Sequence, residues 1–284
     1  MIVDDGVKAG RLRAGALSLW VEQAGAGPPL LLIAGLGYAS WCWYELGAEL
    51  GRAAATLAFD NRGTGRSDKP AGPYSMAMMA DDVAAVMAAV GLADAHVLGH
   101  SMGGYIAQNL ALRHPDKVRS LILVGTSPGG PDTEPVPPET LETWKLAAAL
   151  PPAEYARRSM PHSFASGWAK AHPQAFEQIL ARRLEFPTPP ACWLAQYGAC
   201  VEHVERGVDV GAIRTPATVI HGEQDRVVPH HNGKLLSQRL PGAKFVSLPR
   251  AGHLPMLEDP PAFAGLVRAH LAAHPPDERT RGRA

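Results

Sequence analysis

Net charge is the first thing this 284-residue chain lacks: 27 Lys and Arg balance 27 Asp and Glu. Nucleic-acid and polybasic membrane binders need a clustered positive field, so neither partner is expected. Cysteine is scarce too. Cys42, Cys192 and Cys200 are odd in number and scattered, which suits neither a disulfide framework nor a zinc site. They read as reduced core or pocket residues, and no metal is implied. No stretch nears the roughly 18 uninterrupted apolar residues of a membrane span. Met1 to Gly10 carries Asp4, Asp5 and Lys8 and no apolar signal core, so a cytoplasmic protein is the expectation. Internal repeats are also absent.

Enough apolar residue is present to fold: 46% hydrophobic against 19% charged is a globular balance. Strand and helix patterns alternate. Leu17–Gln23, Leu30–Ile33, Ala53–Phe59, Ala95–Leu98 and Val118–Val124 read as strands, and the pattern resumes at Ala217–Ile220 and Phe245–Leu248. Val83, Val86, Met87 and Val90 recur at helical spacing between an N-cap at Ser75 and a stop at Gly91. Met102–Arg113, Gly233–Leu240 and Ala262–Leu271 read as further helices. Such alternation implies a parallel sheet covered on both faces.

Between Ser127 and Thr215 the grammar changes. No strand pattern appears, and twelve of the 26 prolines fall from Pro128 to Pro190. Two helical stripes stand out, Leu141, Trp144 and Ala148, then Phe176, Ile179, Leu180 and Leu184. The chain therefore divides into an α/β core over 1–127 and 211–274, a helical cap over 128–210 and a flexible tail over 275–284.

Gly99-His100-Ser101-Met102-Gly103 carries the strongest chemical signal. It fits G-x-S-x-G and sits between an expected strand and an expected helix. A sharp turn there strains the serine backbone and lifts its Oγ clear of the sheet. A serine hydroxyl needs a base, itself held by an acid. Asp225 follows the strand ending at Ile220, and His253 the strand ending at Leu248; they are the candidate acid and base. Glu223 is the rival acid. The oxyanion needs N–H donors, for which Met102 and Leu36 are the candidates. Gly35, Trp41, His100 and Leu254 are candidate pocket-lining residues.

Ala34-Gly35-Leu36-Gly37, Asp60 to Ser67, Gly99 to Gly104, His221 to Asp225 and Gly252-His253 together resemble the α/β-hydrolase superfamily, in its cap-bearing branch of carboxylesterases, enol-lactone hydrolases, cofactor-free haloperoxidases and C–C bond hydrolases. The resemblance implies a mostly parallel eight-stranded sheet, a Ser101–His253–Asp225 triad, an oxyanion hole at Leu36 and Met102, and no cofactor. It makes Asp60–Ser67 a structural loop, with Arg62 as scaffold. Many relatives have His-Gly where this chain has Ala34-Gly35.

The expected activity is hydrolysis of small to medium, largely apolar carboxylic esters through an acyl-enzyme, by a monomer or homodimer. Lactone hydrolysis, C–C bond hydrolysis and perhydrolysis are alternatives with the same triad. A non-turnover ligand receptor on the same scaffold is a distant one. Without a dense Arg or Lys cluster near the motif loops, a polyanionic substrate is disfavoured. His230 and His231 are expected to be solvated.

Overall fold

The computed structural model describes residues 2–3, 7–146 and 149–275. Apart from Pro275, the expected tail lies outside the described residues, as does Ala148 of the first cap stripe. Nine strands form one sheet: β1 Ile2–Val3, β2 Val7–Ala14, β3 Leu17–Gly25, β4 Pro29–Ile33, β5 Ala55–Phe59, β6 Ala95–His100, β7 Val118–Val124, β8 Ala217–Gly222 and β9 Lys244–Leu248. Their order is β1-β2-β3-β5-β4-β6-β7-β8-β9. The strands from β4 onward are parallel, and β1 to β3 form an antiparallel edge. β2 to β9 supply the eight strands that the resemblance implied, and the two-residue β1 extends the edge.

β4 is buried from Leu30 to Ile33, which explains why it reads as an unbroken apolar run rather than an alternating one, and β6 and β8 are buried along their whole length. Their residues sort by parity onto two faces. Leu31, Ile33, Val97, Leu121 and Val219 pack under the helices Met76–Ala89 and Met102–Arg113. Leu30, Leu32, Leu98, Ile122 and Ile220 pack against Tyr44–Leu50 and Pro260–Ala273. The Ser75 hydroxyl accepts from Met78 N–H at 3.1 Å and caps its helix as expected.

From β4 the chain first runs to β5 on one side, then crosses to β6 on the other. Open parallel sheets bind ligands at such a reversal, beyond the carboxyl ends of the strands. Here those ends carry the turn after Ile33 and the turn at Ser101.

Among the described residues five α-helices lie between β7 and β8: Pro138–Lys145, Pro152–Ser159, Trp168–Ala171, Pro173–Glu185 and Pro190–Arg206. Four of them begin on proline. At a first helical position proline loses no intrahelical hydrogen bond and its fixed φ suits the helix, so the proline excess marks helix starts. Phe176, Ile179 and Leu180 of the second stripe are buried in the apolar cluster that includes Phe164 and Leu254. Among the described residues no helix is long and apolar enough to cross a membrane.

Candidate active site

Ser101 has φ 53° and ψ −119°, and is the one non-glycine residue with positive φ among those described. Close packing around the turn fixes this conformation. A Cβ on Gly99 would stand 2.3 Å from Gly103 O, and one on Gly103 would stand 2.1 Å from Ile33 O. Only glycine lets strand and helix approach so nearly, and the serine between them is lifted onto the cavity above the sheet.

The turn after β4 closes through Tyr38 N–H to Gly35 O at 3.1 Å, with Gly37 at φ 70°. Gly37 N–H donates to Gln196 Oε1 at 3.1 Å, and Ser101 N–H donates to Val124 O at 2.8 Å. The N–H groups of Leu36 and Met102 have no acceptor among the described residues. One belongs to this turn and the other opens a helix, and an anion is stabilised at such ends.

His253 Nδ1–H donates to Asp225 Oδ2 at 2.7 Å. Both residues are buried. A carboxylate can only accept here, which leaves Nε2 of His253 with its lone pair. Asp225 Oδ1 accepts from Val227 and Val228 N–H at 2.8 and 2.9 Å. Burial alone would raise the Asp225 carboxyl; the adjacent His253 and His221 outweigh it and hold the group well below the usual carboxylate range. Glu223 is exposed and accepts from the Ser247 hydroxyl at 2.7 Å, away from His253.

A cavity of about 340 Å³ is lined by Ser101, His253, Gly35, Leu36 and His100, with Trp144, Trp193 and Tyr197 from the inserted helices. Gly35 and His100 thus stand where a pocket-lining role puts them. Trp41 and Leu254 do not. Trp41 lies beneath Tyr38, ring centroids 5.3 Å apart, and Tyr38 takes the wall position. Leu254 is fully buried in the apolar cluster under the sheet, because the short helix Pro255–Glu258 turns it inward. His230 is also not solvated. It is half-buried and its Nε2 lies 2.8 Å from Ser247 Oγ, while His231 is exposed.

Three polar residues near the site escaped the sequence reading. His221 Nε2–H is shared between Val228 O at 2.9 Å and Asp225 Oδ2 at 3.2 Å, so the acid faces two imidazoles. Gln196, fully buried, bridges Gly37 N–H to Arg62 O, to which it donates at 2.8 Å. Arg183 lines the cavity with its guanidinium 4.9 Å from the Tyr38 ring centroid and makes no ion pair among the described residues. A histidine on the strand end before Asp225 was visible, but nothing in its spacing told its direction. Gln196 and Arg183 lie in the insertion, where no motif marks them.

Other groups support the site. Asn61 Nδ2–H donates to Ala34 O at 3.1 Å, and Asp60 accepts from Ser40 and Arg66 N–H at 2.8 and 2.7 Å. Arg62 makes a two-bond contact with Asp82, at 2.6 and 2.7 Å. The Asp60–Ser67 loop thereby ties the turn after β4 to the helix Met76–Ala89. His100 Nε2–H donates to His253 O at 2.8 Å and its ring centroid lies 4.6 Å from that of His253. Burial holds His100 well below the usual histidine range, with the His253 charge acting in the same direction. The cysteines are free, and burial pushes the Cys42 thiol up, which makes it inert.

Comparison with known proteins bears on the family and the fold. Residues 28–260 match the model of the alpha/beta hydrolase fold family. A putative carbamate hydrolase of Azorhizobium caulinodans is 31% identical over 242 residues, 84% of this chain and 89% of that protein. A pimeloyl-[acyl-carrier protein] methyl ester esterase of Chromobacterium violaceum is 31% identical over 264 residues, 90% of this chain and 98% of that one. Among solved structures, the enol-lactonase of Burkholderia xenovorans superimposes with a TM-score of 0.80 at 25% identity, over 93% of this chain and 100% of that one.

Proposed function

Because the chain belongs to the α/β-hydrolase fold family, we propose that it is a serine hydrolase of carboxylic esters, with Ser101 as nucleophile, His253 as base and Asp225 as the acid that orients it. One observation carries this reading. The strained Ser101 and the half-free imidazole of His253 open onto one cavity, and that imidazole is held from behind by a buried carboxylate. The three relatives are named for a carbamate, a methyl ester and an enol lactone. Their common chemistry is water attack at an acyl carbon, and an ester is the simplest substrate of that kind.

In this reading His253 Nε2 takes the Ser101 proton as Oγ attacks the carbonyl. The oxyanion accepts from Leu36 and Met102 N–H. His253 then protonates the leaving alcohol, takes a proton from the water that attacks the acyl carbon, and returns it to Ser101 Oγ as the C–Oγ bond breaks and the acid leaves. Asp225 keeps the imidazole in the tautomer with its proton on Nδ1 and stabilises the cation. The inserted helices form a cap, over about 128–210, whose Trp144, Trp193 and Tyr197 make the acyl or alcohol pocket apolar. A pocket of about 340 Å³ suits small to medium substrates.

Arg183 favours a second reading, in which the ester or lactone carries one carboxylate away from the scissile bond. One guanidinium among apolar walls matches a single negative charge, whereas a polyanion would need more, and Glu205 on the same cavity opposes it. The test is a panel of p-nitrophenyl esters of rising chain length, with added lactones, β-diketones and dicarboxylic monoesters. Ester turnover is expected. A preference for monoesters over their neutral analogues that vanishes in Arg183→Met supports the second reading. Absence of turnover on every ester and lactone contradicts the proposal.

A further inference from the structure

Glu258 sits five residues after His253 and takes no part in the proposed chemistry. Its carboxylate nevertheless touches the loop that carries the base and the chain segment that starts the cap wall. Gly252 N–H donates to Oε1 at 3.0 Å and to Oε2 at 3.2 Å, and Ala165 N–H donates to Oε1 at 3.2 Å. The same segment is sewn down by neighbouring contacts. His253 N–H donates to Ser163 O at 2.9 Å. Arg226 donates to Pro161 O at 2.8 Å and to Phe164 O at 3.2 Å, and Ser166 N–H donates to Gln224 Oε1 at 3.1 Å. Packing is as close as bonding. A Cβ on Gly252 would stand 2.4 Å from Ala165 N and 2.5 Å from Phe164 C.

Within this seam Glu258 is the one carboxylate among the described residues that accepts from both sides. Its oxygens satisfy N–H donors that are otherwise left facing each other's chains, and hydrogen bonds to a charged acceptor are stronger than neutral ones. We propose that Glu258 is a positioning residue that clamps the His253 loop to the Pro161–Ser166 segment, and that the clamp holds in its ionised form and slackens on protonation. This rests on the reading of His253 as the base.

The surroundings make the change of charge accessible near neutrality. Burial pushes the Glu258 carboxyl up to about 7, the donors from Gly252, Ala165 and Leu254 oppose the shift, and the Asp225 charge adds to it. The other charged and titratable groups around it are His253 on its own loop, Asp259 beside it, Arg226 on the Asp225 loop, His162 on the clamped segment, and Arg250 and His172 along the outer groove that Glu258 borders. None of them forms an ion pair with Glu258, so its protonation state acts on the backbone donors directly. A neutral carboxyl keeps one weaker acceptor oxygen, and the two N–H groups must then compete for it.

Two measurements on the full chain test this. First, amide proton shifts of Gly252 and Ala165 are followed by NMR from pH 3 to 9. Both should move together with a midpoint near 7; in Glu258→Gln Ala165 should not move, and Gly252 should keep only what the adjacent His253 imparts. A midpoint near the ordinary carboxylate value, or the same transition in the variant, overturns the clamp. This arm needs no substrate, so it judges the clamp even if no ester is turned over. Second, kcat on p-nitrophenyl acetate is followed against pH. The wild type should lose kcat on the acid side through two ionisations and Glu258→Gln through one, with kcat at pH 8 lower by roughly tenfold and KM unchanged. Identical profiles for the two proteins overturn the link to His253. Should Glu258→Gln fail to fold, the side-chain carboxyl carbon of Glu258 is titrated in the wild type instead, and a midpoint near the ordinary carboxylate value of about 4.3 overturns the clamp.

Discussion

Replacing Asp225 by Asn exchanges one acceptor for a donor and little else. The Asn carbonyl can keep the two bonds from Val227 and Val228 N–H, at 2.8 and 2.9 Å. Its NH2 group must then occupy the place of Oδ2, where His253 Nδ1–H arrives at 2.7 Å and His221 Nε2–H at 3.2 Å. Donors facing donors cannot stand. His253 escapes by moving its proton to Nε2, which leaves it unable to take the Ser101 proton. The analogous change in a serine protease, which moves the imidazole to the wrong tautomer, lowers turnover about 10⁴-fold, or about 5 kcal/mol of barrier. A loss of that size in kcat on a p-nitrophenyl ester is expected, with the fold intact by circular dichroism. Glu223→Gln, on the exposed carboxylate bonded to Ser247, should change kcat little. An Asp225→Asn enzyme that keeps more than about a tenth of its activity, or a Glu223→Gln enzyme that loses more than it does, refutes the reasoning.

Gln196→Ala removes both ends of a buried bridge and leaves Gly37 N–H and Arg62 O without partners. Each orphaned group costs about 1–3 kcal/mol, so urea unfolding should shift to lower concentration and kcat should fall while KM holds. Gly103→Ala places a methyl 2.1 Å from Ile33 O; a drop of roughly 10 °C or more in Tm is expected from calorimetry. On the far side of the sheet, Ser120 Oγ lies 2.6 Å from His96 Nδ1 and 2.7 Å from His270 Nε2, and Thr218 Oγ1 lies 2.8 Å from His270 Nδ1. Burial holds His96 at about 4 and His270 at about 3. The unfolded chain protonates both near the ordinary value of about 6.5, so stability is full above that pH and declines as pH falls toward 4. His96→Gln keeps an acceptor for Ser120 without titrating and should flatten that decline in urea midpoints.

Much of this arrangement was legible before any coordinates. Burial on both faces of the sheet writes continuous apolar runs at Leu30–Ile33 and Leu121–Val124 into the chain, and the crowding at Gly99 and Gly103 admits no other residue. β2 was missed for the opposite reason. Val7–Ala14 lies next to the sheet edge, and the side chains of Lys8–Arg13 are mostly exposed or half-buried with Gly10 among them, so neither apolar period nor propensity marks it. Trp41 and Leu254 were misplaced because sequence gives nearness to the Gly35 turn and to His253, whereas the direction of a side chain depends on the phase of the short helical turns that follow. Arg183 and Gln196 were invisible for a further reason. The insertion meets the core through tertiary contacts of single residues, and helical periodicity reports only its own buried stripe.

The account stands most directly on Ser101. Incubation with a fluorophosphonate, followed by peptide mass spectrometry, locates the nucleophile without knowledge of the substrate. A single adduct on Ser101 is predicted, absent in Ser101→Ala and strongly slowed in Asp225→Asn. An adduct on another residue, or ester turnover that persists in Ser101→Ala within about tenfold of the wild type, contradicts it.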